Sequence, residues 1–340
     1  MTISSTPKYI HHRPSIERKK MKRLSWMVTS LVIVSLGIVT GTQSAGAAAA
    51  KPQTATIILN WFAQAEQGGY WDAMGSQPAK SSGITIVVKQ GGPGIQTLPQ
   101  VAAGAFQFGV GNADEVLQAR ANGLPIVAIA AGFDTNLQCM MYHSDQKIKS
   151  FSDVSGHQVA RVPSPYFDYI KAHFKLTGIK DVNFTGSMAD FKLNDNLVQQ
   201  CFVTSEPYVA KLAGVDIGYL SVAKDGGYNP YGNLLFTTEA MIKKNPTLVR
   251  AVASAVVNGW SNLIVNDSVA KAAATAANKD VDPAAFDYAV KAISDGGFLG
   301  SKPGAMTLHR WKVLRDQLVS IKAIPAGLDY VKAFTNRFNG

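Results

Sequence analysis

Aromatic rings and one carboxylate sit at strand ends in this sequence, where a small molecule could be held. In Leu59-Asn60-Trp61-Phe62 two rings follow a β-rich run. Ligands of open α/β sheets bind beyond the carboxyl ends of strands, so Trp61 and Phe62 are candidates to stack on a flat ligand. Trp71, ten residues on, reads as core. Val203-Thr204-Ser205-Glu206-Pro207 is a second junction. Ser205 reads as a helix cap, and the Glu206 carboxylate either complements the helix dipole or accepts bonds from a ligand amino group. A third junction, Gly109-Val110-Gly111-Asn112-Ala113-Asp114-Glu115, has Asn112 and Glu115 at capping-box spacing. The N–H groups of Asn112 and Ala113 are candidates to face a ligand as well. Gly92, in Gly91-Gly92-Pro93-Gly94, belongs to a turn that lacks the Lys and Ser/Thr of a phosphate loop. Tyr166 and Tyr228 are placed to line the cleft mouth, and Arg161, beside Val162-Pro163-Ser164-Pro165, is the one cation suited to an anionic ligand.

Catalysis has no comparable signal. Neither Ser164 nor Ser205 has a nucleophile-elbow setting, and no His is spaced to act as its base. His143, His157, His173 and His309 have no ligand spacing with each other or with Cys139 and Cys201, so neither a metal nor a cofactor is expected. The two cysteines lie in strand-like runs. Export to an oxidising compartment allows them to pair, but buried free thiols suit such runs equally, and the sequence leaves the choice open.

The positive charge is concentrated at the amino end. The chain of 340 residues carries a formal +10, yet residues 1–47 hold seven Lys/Arg against one acid, and no basic run follows. A nucleic-acid partner is thereby excluded. Arg18-Lys19-Lys20-Met21-Lys22-Arg23, an apolar core from Trp26 to Val39 and an Ala-rich zone form the three parts of a cleavable secretory signal, assigned to residues 1–47. The apolar core is short of the ~20 residues a spanning helix needs. No Cys lies near the cleavage zone, which argues against a lipoprotein and for a soluble periplasmic protein.

Apolar runs at 55–60, 84–89, 106–110 and 126–130 alternate with helical segments, predicting a mostly parallel sheet covered on both faces. A second set runs from about 143 to 220. One more strand, 233–237, precedes a helical C-terminus that opens at Pro246. An α/β chain that leaves one lobe and returns to it follows: lobe one from 51–140, lobe two from 141–222, and a mostly helical return to lobe one over 223–340.

Together the leader, Leu59-Asn60-Trp61-Phe62, Gly91-Gly92-Pro93-Gly94, Phe108-Gly109-Val110-Gly111-Asn112-Ala113-Asp114, Val203-Thr204-Ser205-Glu206-Pro207 and the run from Asn229 to Glu239 resemble one family. It is the periplasmic substrate-binding proteins of ABC importers for nitrate, sulfonates, taurine and thiamine-pyrimidine precursors. The resemblance implies a two-lobed periplasmic-binding fold of the second type, with a small-molecule ligand in the cleft between lobes. It also implies a non-enzymatic monomer that delivers its ligand to an ABC permease. Trp61 and the Thr-Ser-Glu-Pro junction look more like the thiamine-precursor branch, which points to an aminopyrimidine. Arg161 keeps a sulfonate, taurine or nitrate as the alternative. Eukaryotic relatives that make the thiamine pyrimidine are enzymes that consume a histidine and bind pyridoxal phosphate and iron. The leader, the two lone cysteines and the lack of a His cluster argue against that class. The sequence departs from the family at Gly75-Ser76-Gln77-Pro78-Ala79-Lys80, a segment expected at the pocket rim.

Overall fold

The computed structural model describes residues 52–185 and 187–339. The leader and its cleavage zone lie outside the described residues. The first four apolar runs form β1 (Gln53–Ile58), β2 (Ile84–Lys89), β3 (Phe108–Gly111) and β4 (Ile126–Ala130). The chain then builds a second sheet from β5 (Gln138–His143), β6 (Gln158–Arg161), β7 (Lys180–Asn183), β8 (Leu197–Phe202) and β9 (Ile217–Ser221). It returns as β10 (Leu234–Thr238), inserted between β3 and β4. The sheet orders are β2-β1-β3-β10-β4 and β7-β6-β8-β5-β9.

Both sheets are mixed, which corrects the expectation of mostly parallel pairing. β1 runs parallel to β2 and β3, but β10 is antiparallel to both its neighbours, as β5 is to β8 and β9. A strand that arrives from the other lobe enters its sheet from the opposite end, so its direction is set by the crossing rather than by its own residues.

The first lobe has the larger core. Asn245 caps the helix Pro246–Leu263, its Oδ1 accepting the Leu248 N–H at 3.2 Å. That helix buries Leu248, Val249, Val252, Val256, Trp260 and Leu263. It lies so close to the helix Gly68–Ala73 that a Cβ at Gly259 would stand 2.2 Å from the Gly69 carbonyl oxygen. Trp260 packs between Tyr70 and Phe133, and truncating so large a buried side chain costs about 3–5 kcal/mol. The second lobe has a smaller cluster on its cleft side: Cys139, Met141, Ala160, Phe184, Phe191, Leu197 and Cys201. Cys139 and Cys201 face each other in the β5–β8 register and are joined in a disulfide. Pairing, left open by the sequence, follows from strand register.

Two segments, 131–137 and 222–233, cross between the sheets. The Phe133 N–H donates to the Gly232 carbonyl at 2.9 Å, and the Asn136 N–H to Asn229 Oδ1 at 2.8 Å. Arg310, on the helix Leu308–Ser320, pins both: Nη1 pairs with Asp134 at 2.6 Å, and Nη2 donates to the Asn229 carbonyl at 2.9 Å. Its guanidinium lies 3.8 Å over the Tyr231 ring. Among the described residues no single helix is long and apolar enough to cross a membrane.

Candidate functional site

A cavity of about 200 Å³ lies in the cleft, lined by residues of both lobes. Its first-lobe wall is built from side-chain amides whose orientation traces back to one backbone carbonyl. The Glu66 carbonyl oxygen accepts from Asn233 Nδ2 at 2.7 Å, so Asn233 Oδ1 must face the other way. There it accepts from Asn60 Nδ2 at 3.1 Å, which turns Asn60 Oδ1 outward again. Among the described residues that oxygen, buried on the cavity wall, has no donor, and neither has the buried Gln67 Oε1. Buried acceptors without a partner are rare in native proteins, and each calls for a donor such as a water or a ligand. Asn233 holds its place through a left-handed backbone (φ 42°) and through its own N–H, donated to Asn112 Oδ1 at 3.2 Å.

Glu115 completes that wall. Its Oε2 accepts the Asn112 N–H at 2.7 Å. Burial and the neighbouring Asp114 charge push its carboxyl up to about 7. Trp61 enters on a loop tied down by the Gly91 N–H, which donates to the Trp61 carbonyl at 2.8 Å. Only glycine fits at 91, where a Cβ would meet the Leu59 carbonyl oxygen at 2.2 Å.

The second-lobe wall carries Glu206, Tyr166, Phe184, Gln138 and Gln200. Glu206 opens the helix Glu206–Leu212, and its Oε2 accepts from the Phe202 N–H at 2.7 Å and the Ser205 hydroxyl at 2.6 Å. Burial nonetheless raises its pKa, with those two bonds pulling the other way. Ser205 thus donates to Glu206 and makes no cap of its own, contrary to the sequence reading. Tyr166 is buried, its hydroxyl directed at Met140 Sδ, so it lies on the cavity wall and not at an open mouth. Beside the cavity Thr204 of lobe two donates to the buried Glu66 carboxylate of lobe one at 2.6 Å.

Of the candidates read from the sequence, Trp61, Gly92, Asn112, Tyr166 and Glu206 line the cavity. Phe62, Ala113, Arg161 and Tyr228 do not. Phe62 turns its ring outward, 41% exposed. The Ala113 N–H donates to the Tyr231 carbonyl and that of Asn112 to Glu115, so neither helix-start donor is open to a ligand. Arg161 pairs with Asp181 at 2.8 Å and Asp168 at 3.7 Å, and lies over the Phe167 ring. Tyr228 is buried behind the wall, donating to Asp114 at 2.9 Å. The departure at 75–80 forms part of a different groove with Asp72 and Asn262, away from the cleft. Asn60, Gln67, Asn233, Phe184 and Gln200 were missed as site residues. Asn60, Asn233 and Phe184 lie next to strands, whereas nothing in the sequence marked Gln67 or Gln200. Among the described residues no cluster of His, Cys, Asp or Glu is grouped to hold a metal ion.

The family model described as NMT1/THI5 like matches residues 78–270. A formylaminopyrimidine-binding protein of Halalkalibacterium halodurans is 22% identical over 223 residues, 63% of this chain and 67% of that protein. Two solved structures share the fold. The alkanesulfonate-binding protein SsuA of Xanthomonas axonopodis pv. citri, bound to MOPS, superposes with a TM-score of 0.63 at 13% identity, covering 84% of this chain and 99% of its own. The periplasmic aliphatic sulphonate binding protein SsuA of Escherichia coli gives 0.61 at 14%, covering 83% and 92%. The two-lobed periplasmic-binding fold expected from the sequence is the fold of this chain.

Proposed function

The chain belongs to the NMT1/THI5-like family, and on that premise we propose that it is an exported solute-binding protein whose lobes close on a small, amino-bearing N-heterocycle. An aminopyrimidine precursor of thiamine is the ligand class that fits best, handed on to an ABC permease from the periplasm. The protein acts as a binder and not as an enzyme. In this reading residues 51–140 and 223–340 make one lobe and 141–222 the other.

The observation that carries the reading is the polarity of the cavity wall. It is lined by the carboxyl groups of Glu115 and Glu206 and by the side-chain amides of Asn60, Gln67 and Asn233, and among the described residues its lining contains no Lys, Arg or His. Such a wall asks for N–H donors. An anion there would meet acidic groups and no cation, and Arg161, its one sequence-level advocate, is already paired. The volume, below the ~300–1,000 Å³ of drug-sized sites, suits a single ring. The name of the Halalkalibacterium relative agrees with this class.

Calorimetry with 4-aminopyrimidine tests it. Glu206→Gln removes a charged acceptor worth about 1.5–3 kcal/mol and is expected to weaken binding roughly ten- to a hundredfold. Trp61→Ala is expected to cost a comparable amount while the fold survives. A Glu206→Gln variant that binds as tightly as the parent reduces Glu206 to a helix-start residue and removes the reading.

A further inference from the structure

The strand order of the second lobe sets β7 at the edge remote from the crossings, which adjoin β5 and β9. Three strand spacings of ~4.8 Å, about 14 Å in all, separate β7 from β5. Phe184 follows β7 directly, is buried among Ala160, Phe191 and Leu197, and lines the cavity. Its ring faces Trp61 of the other lobe, with centroids 6.4 Å apart and planes only 17° from parallel. Trp61 in turn packs against the second-lobe cluster. A pair of rings, one from each lobe, therefore spans the cleft at a distance from its hinge.

We propose that Trp61 and Phe184 are the two jaws of an aromatic gate, facing one another across the cleft and parting to hold one planar ring between them. The proposal deepens the reading of the ligand as a flat heterocycle and rests on it for the identity of that ring. Two stacked contacts of ~3.5 Å need about 7 Å between the outer rings. The two ring centroids stand 6.4 Å apart, wider than one stacked contact and short of the two that a sandwiched ring needs. A puckered saturated ring is thicker and forfeits face contact on both sides. Phe184 is thus a specificity-determining residue, and it selects for thickness where Glu206 selects for donors.

Trp71, Trp260 and Trp311 are each no more than 2% exposed, so acrylamide quenching of tryptophan fluorescence in the leader-free protein reports chiefly on Trp61. Ligand-free parent, Phe184→Leu and Phe184→Tyr are compared, with melting temperatures as a check on folding. Phe184→Leu is expected to raise quenching and Phe184→Tyr to restore the parent value. Equal quenching in parent and Phe184→Leu overturns the gate. With 4-aminopyrimidine as probe, Phe184→Leu is expected to bind roughly two- to tenfold more weakly, the worth of one stacked pair. Equal affinity overturns the role of Phe184 as a jaw on the ligand. A parent that shows the quenching pattern but binds no 4-aminopyrimidine supports the gate and overturns the ligand class instead.

Discussion

The two lobes build their halves of the cleft by different means. Lobe one presents amides fixed one after another, from the Glu66 carbonyl through Asn233 to Asn60, over a large core centred on Trp260. Lobe two presents a carboxylate and two rings over a much smaller cleft-side cluster, with Cys139 and Cys201 bonded across adjacent strands. The difference separates two tasks. Lobe one holds acceptors in preset directions, which lowers the ordering cost of binding. Under the proposed function, lobe two brings Glu206 and Phe184 to that template.

The largest effect that breaks this contrast is loss of the disulfide. The bond closes a loop with a sequence separation of 62. Replacing both cysteines by Ser is expected to cost about 2–4 kcal/mol and to fall on lobe two. Hydrogen exchange should show β5 and β8 losing protection while β1, β3 and β10 keep theirs. Uniform loss across both sheets would mean that the lobes do not differ in this way.

Asn233→Gly sharpens the contrast from the other side. Glycine keeps the left-handed backbone but removes the amide that orients Asn60. Each lost hydrogen bond is worth about 0.5–1.5 kcal/mol and the buried Glu66 carbonyl loses its donor, so the melting temperature should fall, and binding of 4-aminopyrimidine should weaken by roughly tenfold. Unchanged affinity would mean that the amide chain does not position the acceptors.

A smaller effect reports on Glu115. Its folded pKa of about 7 lies above the usual 4.5, so the folded protein retains a proton that the unfolded chain releases. Its contribution to stability is present in full below pH 4.5 and is lost as pH rises through 7. Glu115→Gln should flatten that part of the melting-temperature profile, leaving a gap to the parent that widens between these limits. Parallel profiles would place Glu115 in a more solvated setting than the first-lobe wall implies.

These contrasts were only partly legible in the sequence. Strand positions were, because short β-branched runs bounded by turn residues carry a local signal, as in Ile84-Thr85-Ile86-Val87-Val88. Strand direction was not, because β5 and β10 take theirs from the crossings. Trp61 and Glu206 stood out by lying at strand ends. Asn60 and Asn233 did not, since their bond spans 173 positions and an amide in a loop resembles any other. Arg161 misled for the same reason: Asp181, twenty residues on, occupies its guanidinium across the β6–β7 pairing.

The central claim is that the cleft is made for N–H donors and not for anions. Calorimetric titration of the parent protein, freed of any co-purified ligand, with 4-aminopyrimidine and with methanesulfonate in the same buffer tests it most directly. Binding of the aminopyrimidine and no heat from the sulfonate is the predicted result. Saturable binding of the sulfonate with none of the aminopyrimidine would contradict it.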